Sequence, residues 1–269
     1  MSYGDKLWDR RQKLINSLLD LLPDRDLGRF EYDGVSPHVK IPKGYTSIYY
    51  ETFKDSSVVE SVDIPNTISE IGINEFEGCT NLVSVTMTNS VTRIGEYAFH
   101  NCVRMTSIIL PGNLNQIISN TFHNCKSLKS INIPEGVWCI GNDAFKNCSS
   151  LESLEIPDET IYIGWTAFIN CSLLKNVKMP IVSDIHSGAF INCSSLASIV
   201  LPIQKHIPDD MFNGCTSLKH ITAPENLIVP PGKYEVTYCK INTYPYVVDN
   251  QKINRFTGSK IPLLCYEDD

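Results

Sequence analysis

Phenylalanine recurs at positions 53, 76, 99, 122, 145, 168, 190 and 212, and cysteine at 79, 102, 125, 148, 171, 193 and 215. Proline keeps the same beat at 42, 65, 111, 134, 157, 180, 202 and 224. The step is 23 residues and shortens to 22 at the end of the series. A fixed period of this size is the signature of a solenoid, in which each turn buries its apolar face only against its neighbours. The 269 residues therefore read as one elongated body.

From Ile64 to Pro224 the unit is clear: Pro, a turn, Ile-Gly, a few polar residues, Ala-Phe, one residue, Asn-Cys, two residues, Leu, then two aliphatics separated by one residue, and Pro again. In Leu128-Lys129-Ser130-Ile131-Asn132-Ile133 the apolar residues alternate as in a strand with one buried face. One short strand per turn predicts a long parallel sheet. Pro134 cannot donate to its ladder and ends the strand. Asn142–Lys146 reads as a single helical turn that places Ala144 and Phe145 in the core. Asn101, Asn124, Asn147, Asn170 and Asn192 follow such turns, with Gly78 and Gly214 in the same place elsewhere. Exchange of Asn with Gly favours a left-handed cap; the rival reading is a buried Asn bonding loop carbonyls. Gly72, Gly95, Gly141 and Gly164 are expected at a second tight bend.

Ile-Gly, Ala-Phe, Asn-Cys and Ile-Pro over seven turns resemble the BspA type of leucine-rich repeat found in Treponema pallidum and Bacteroides. The resemblance covers roughly residues 40–224. It implies an α/β repeat solenoid, mostly β: a right-handed coil with a parallel strand sheet on one face and short helical turns or loops elsewhere. Members of the family are mostly proposed surface or secreted proteins that bind host proteins or other bacteria.

Three regions follow. Residues 1–36 are expected to form an N-terminal helix and cap, with Leu7, Trp8, Leu14, Ile15, Leu18, Leu19 and Leu22 as an apolar stripe over residues 2–22 and Pro23 as its stop. That stripe is expected to cover the open core; the alternative is a partner-binding or membrane-surface helix. Residues 37–224 are the solenoid of about eight turns, and residues 225–269 a β-rich C-terminal cap. Strands are expected around Phe30 and Tyr32, over Val236–Ile241 and over Tyr244–Val248. The tyrosines at 234, 238, 244, 246 and 266 suit a half-wet edge or a binding surface.

Net charge is −7, which leaves no basic footprint for nucleic acid. No run of 18 apolar residues exists, so no membrane insertion is expected. The N-terminus lacks the apolar core of a signal peptide, so the sequence reads as cytoplasmic, or as surface or secreted if a leader has been removed. The cysteine column is expected to hold free thiols, because like Cβ vectors in successive coils run parallel. His100 and His123 occupy one position in consecutive turns and read as a solvated pair, too few for a metal site. Cys139, Cys239, His186, His206 and His220 show no catalytic context, and neither a phosphate loop nor a nucleophile elbow occurs. No cofactor and no enzymatic activity are expected.

The outward strand positions carry the candidate site. Ser61, Ser84, Ser107, Ser130, Ser153, Asn176, Ser198 and His220 form a small, nearly uniform row. Beside it Asp63, Thr86, Ile109, Asn132, Glu155, Lys178, Val200 and Thr222 vary in charge and shape from turn to turn. A third row is Glu60, Val83, Thr106, Lys129, Glu152, Lys175, Ala197 and Lys219. Repeat proteins bind on such extended faces. The expected function is a non-catalytic module, monomeric or weakly oligomeric, that binds a protein or glycan on the strand face. The alternative is a structural spacer or self-assembling surface protein. A plain solvated sheet with exposed ion pairs also satisfies these rows.

Overall fold

The computed structural model describes residues 27–239 except 181–183, 204–206, 226 and 230. The expected helix over residues 2–22, the strand at Tyr244–Val248, and three of the five tyrosines lie outside those residues. The chain is a mostly-β solenoid of stacked coils with parallel strands throughout. No helix occurs among the described residues.

Two strand series build it. The strand face consists of β2 (His38–Lys40), β4 (Ser61–Asp63), β6 (Ser84–Thr86), β8 (Ser107–Ile109), β10 (Ser130–Asn132), β12 (Ser153–Glu155), β14 (Asn176–Lys178), β16 (Ser198–Val200), β17 (His220–Pro224) and β18 (Glu235–Cys239). The second face holds two-residue strands: β1 (Arg29–Phe30), β3 (Ser47–Ile48), β5 (Glu70–Ile71), β7 (Arg93–Ile94), β9 (Gln116–Ile117), β11 (Cys139–Ile140), β13 (Tyr162–Ile163) and β15 (Asp184–Ile185). Each strand pairs with its equivalent one coil away, as β4 does with β6 and β11 with β13.

Stacking of equivalent residues makes the core. The phenylalanine rings from Phe53 to Phe190 lie over one another at 4.9–5.5 Å, with interplanar angles of 2–25°. Tyr32 continues the stack at 4.9 Å from Phe53, and Tyr234 meets Phe212 edge-on at 6.1 Å. The central aliphatics of the strands and the Leu and Ala positions of the unit are buried with them.

The segment expected to be a helical turn is instead a pair of reverse turns. Lys146 donates to Asp143 O and Cys148 to Phe145 O, three residues back. The residues two before and two after each Phe from Phe53 to Phe190 are left-handed, as in Asp143 (φ 54°) and Asn147 (φ 61°). Two left-handed residues within five cannot continue a right-handed helix. Asn and Asp dominate these places because a short polar side chain bonds locally there. Thr166 holds the conformation against its β-branched preference, and its hydroxyl donates to the Asp143 carboxylate.

Asn101, Asn124, Asn147, Asn170 and Asn192 are left-handed, as are Gly78 and Gly214. There is no helix for them to cap. Their side chains form a ladder: Asn124 Nδ2 donates to Asn101 Oδ1 (2.8 Å), Asn147 to Asn124 (2.7 Å), Asn170 to Asn147 (2.7 Å) and Asn192 to Asn170 (2.8 Å). Gly141 serves a different purpose from the tight bend expected of it. Its φ is ordinary, and a Cβ there would lie 2.5 Å from the Ser119 backbone nitrogen of the preceding coil. Close approach between coils demands that glycine.

Candidate binding face

On the strand face the central residue of each strand points inward and its two neighbours point out, giving the exposed–buried–exposed order of β6, β8, β10, β12 and β14. Parallel registry then lines up the outward residues in rows. Ser130 pairs with Ser107, Ser153 with Asn176 and Ser198 with His220. In the variable row Asp63 pairs with Thr86, Asn132 with Ile109, Glu155 with Lys178 and Val200 with Thr222. The backbone ladder also ties the third row: Lys129 N–H donates to Thr106 O, Glu152 to Lys129 O and Lys175 to Glu152 O.

All eight variable-row residues thus fall on one face in one line. Val200 is half-buried. The row is longer than its sequence pattern indicates: Lys40 pairs with Asp63 at one end, and Thr237 of β18 with Thr222 at the other. Only ten residues, 225–234, separate β17 from β18, so the last rung skips the turns that carry the repeat's signature.

Part of the charge on the face is paired. Lys175 meets Glu152 at 3.1 Å, and Lys178 donates to Glu155. The Thr86 hydroxyl donates to Asp63, and His38 Nδ1 lies 2.9 Å from Ser61 Oγ. Exposed pairs of this kind contribute about 0–1 kcal/mol each. Between the pairs stands Ile109, an aliphatic side chain 81% exposed.

The remaining candidate chemistry is inert. Each column cysteine donates its S–H to the Phe carbonyl of the preceding coil, from Cys79 to Phe53 O (2.9 Å) through Cys215 to Phe190 O (3.1 Å). These thiols are free. Burial pushes Cys125 and Cys171 up to about 12, so the nucleophilic thiolate is suppressed. His100 and His123 stack at 4.7 Å, and His100 meets Glu77 at 3.2 Å. His123 is half-buried rather than solvated. Burial first, then His100 and Lys146, lower its pKa to about 4. Among the described residues no trio of His, Cys, Asp or Glu side chains could hold a metal, and no helix is long and apolar enough to cross a membrane.

Comparison with known proteins agrees with this geometry. The BspA type leucine rich repeat region, in six copies, matches residues 29–151 and 139–258. The crystal structure of a leucine-rich repeat protein from Bacteroides ovatus superposes with a TM-score of 0.57 at 30% identity, over 65% of this chain and 52% of that one. This chain therefore spans about half the length of the Bacteroides protein. The T. pallidum leucine-rich repeat protein gives a TM-score of 0.60 at 29% identity, over 65% of this chain and 85% of that one. No curated protein matches. Such repeats are generally protein-interaction scaffolds and typically non-catalytic. The chain belongs to the BspA-type leucine-rich repeat family.

Proposed function

We propose that this chain is a non-catalytic protein-interaction module whose partner lies across the strand face, along the row from Asp63 to Thr222. The observation that carries the reading is Ile109, 81% exposed in the middle of an ordered sheet. Covering a side chain of this type is worth about 1.5–3 kcal/mol. The flanking residues supply specificity more than affinity. Asn132 offers donors and an acceptor, while Glu155 and Lys178 neutralise each other until a partner with matching charges separates them.

The test is capture of a partner by the wild-type chain, followed by the triple replacement of Asn132, Glu155 and Lys178 and the single change Ile109→Asp. Binding should weaken at least tenfold in each while the melting temperature stays within a degree or two. Unchanged affinity in both would remove this face from consideration.

A further inference from the structure

We propose that Glu75 is a proton-operated joint: the N-terminal coil, carrying β1, Tyr32 and β2, is clamped to the rest of the solenoid while this carboxyl is neutral and loosens when it ionises. From Phe76 on, the residue before each Phe lines the core, and it is alanine at 98, 144, 167 and 189. At this place the second coil carries a glutamate that is 1% exposed. Of the other polar residues in the row, Thr121 satisfies its hydroxyl on Ile118 O at 2.7 Å and Thr52 accepts from Tyr32 N–H at 2.7 Å. Glu75 Oε1 is buried with no partner.

The backbone bonding at this joint also differs from that of its neighbours. In the next five joints the Phe N–H donates to the carbonyl of the row residue one coil on: Phe76 to Ala98 O, Phe99 to Thr121 O, Phe122 to Ala144 O, Phe145 to Ala167 O and Phe168 to Ala189 O. At the first joint no such bond forms: Thr52 N–H donates to Tyr49 O, and the Thr52 and Phe53 amides lie beside the buried Glu75 carboxyl, where they favour its ionised form less than burial opposes it. A buried titratable group therefore sits where this joint lacks that backbone bond. The other groups that bear on it are Glu51, across the joint, and the Cys79 thiol on its own coil. The residue stacked beyond it is Ala98. Glu51 is itself held by Lys54 and by Asn74 Nδ2 at 2.8 Å, so it adds negative charge without offering a donor. Burial raises the Glu75 pKa from 4.5 to about 8.

The sign follows from linkage. Opening lets the carboxyl return to its ordinary pKa and release its proton, so the closed joint is strongest below 4.5 and weakens as pH rises to about 8. The population of the open form should grow roughly tenfold per pH unit across that window. Because β2 rides on the same coil, the proton also governs whether Lys40 stands in line with Asp63.

Hydrogen exchange of the Thr52–Asp55 amides, corrected for intrinsic rates, tests this on the full chain between pH 5.5 and 8.5. Protection in the wild type should fall roughly tenfold per unit up to about pH 8. In Glu75→Gln, which keeps shape and acceptor but cannot ionise, it should be flat. Glu75→Ala, the row's common residue, should be flat as well and guards against misfolding of the first variant. A flat wild-type profile, or the same slope in both variants, would overturn the proposal.

Discussion

Replacing Asn147 in two ways separates the two reasons for having asparagine there. Its Nδ2 donates to Asn124 Oδ1 and its Oδ1 accepts from Asn170 Nδ2, both at 2.7 Å, and its backbone sits at φ 61°. Asn147→Gly keeps the backbone conformation and removes both side-chain bonds. Each is worth about 0.5–1.5 kcal/mol net, and the half-buried neighbours regain water in part. The freer unfolded chain adds about 0.5–1 kcal/mol. The expected cost is about 2 kcal/mol. Asn147→Ala removes the same bonds and forces a Cβ-bearing residue, with no side chain to bond locally, into the left-handed region at about 1–2 kcal/mol. Its cost should be about 3 kcal/mol, although it retains one more carbon than the glycine variant. Urea unfolding followed by circular dichroism, with m unchanged, measures both. An alanine variant as stable as the glycine variant, or more so, would refute the conformational argument. A glycine variant as stable as wild type would refute the ladder.

Two further outcomes test the placement of the interior. Phe145→Ala removes a fully buried ring stacked on Phe122 and Phe168, both at 5.4 Å, and should cost about 3–5 kcal/mol by the same assay; Ser153→Ala, on the exposed row, should stay within about 0.5 kcal/mol. Gly141→Ala must push the Ser119 backbone away from a Cβ 2.5 Å off and should destabilise far more than Gly112→Ala, whose nearest neighbour is the Asn89 side chain at 3.4 Å; equal melting temperatures would show that the coils are not so close.

The parts of this fold legible in the sequence are those that each coil repeats with one side chain. Phe, Cys and the central aliphatics must be apolar to be buried, and Ser153 and its equivalents have no apolar surface to bury, so the period alone sorts inside from outside. The turns were not legible, because their geometry is imposed by the stack. Glu51, Tyr97 and Thr166 are left-handed at the same place as Asn74, Asn120 and Asp143, and no propensity predicts that. The close approach behind Gly141 is likewise a property of two coils together. Thr237 was hidden because the shortened connection at 225–234 breaks the period just before it. Glu75 had a signal that was readable only by alignment: in Asn-Glu-Phe-Glu it resembles a surface residue, whereas in line with Ala98, Ala144 and Ala167 it stands in the core.

The interior ladders explain why the strand face is free to vary. The Phe stack, the thiol-to-carbonyl bonds and the asparagine ladder run along the axis, and each satisfies itself between one coil and the next. None involves Asp63, Asn132 or Lys178, whose side chains leave the sheet on its other side. Stability in such an array is a sum of coil and joint contributions, so outward substitutions need not loosen the joints. The exception is the first joint, where a core position holds a carboxyl. There a buried carboxyl faces the joint with one oxygen unpartnered, so the pH response proposed above begins at the N-terminal end.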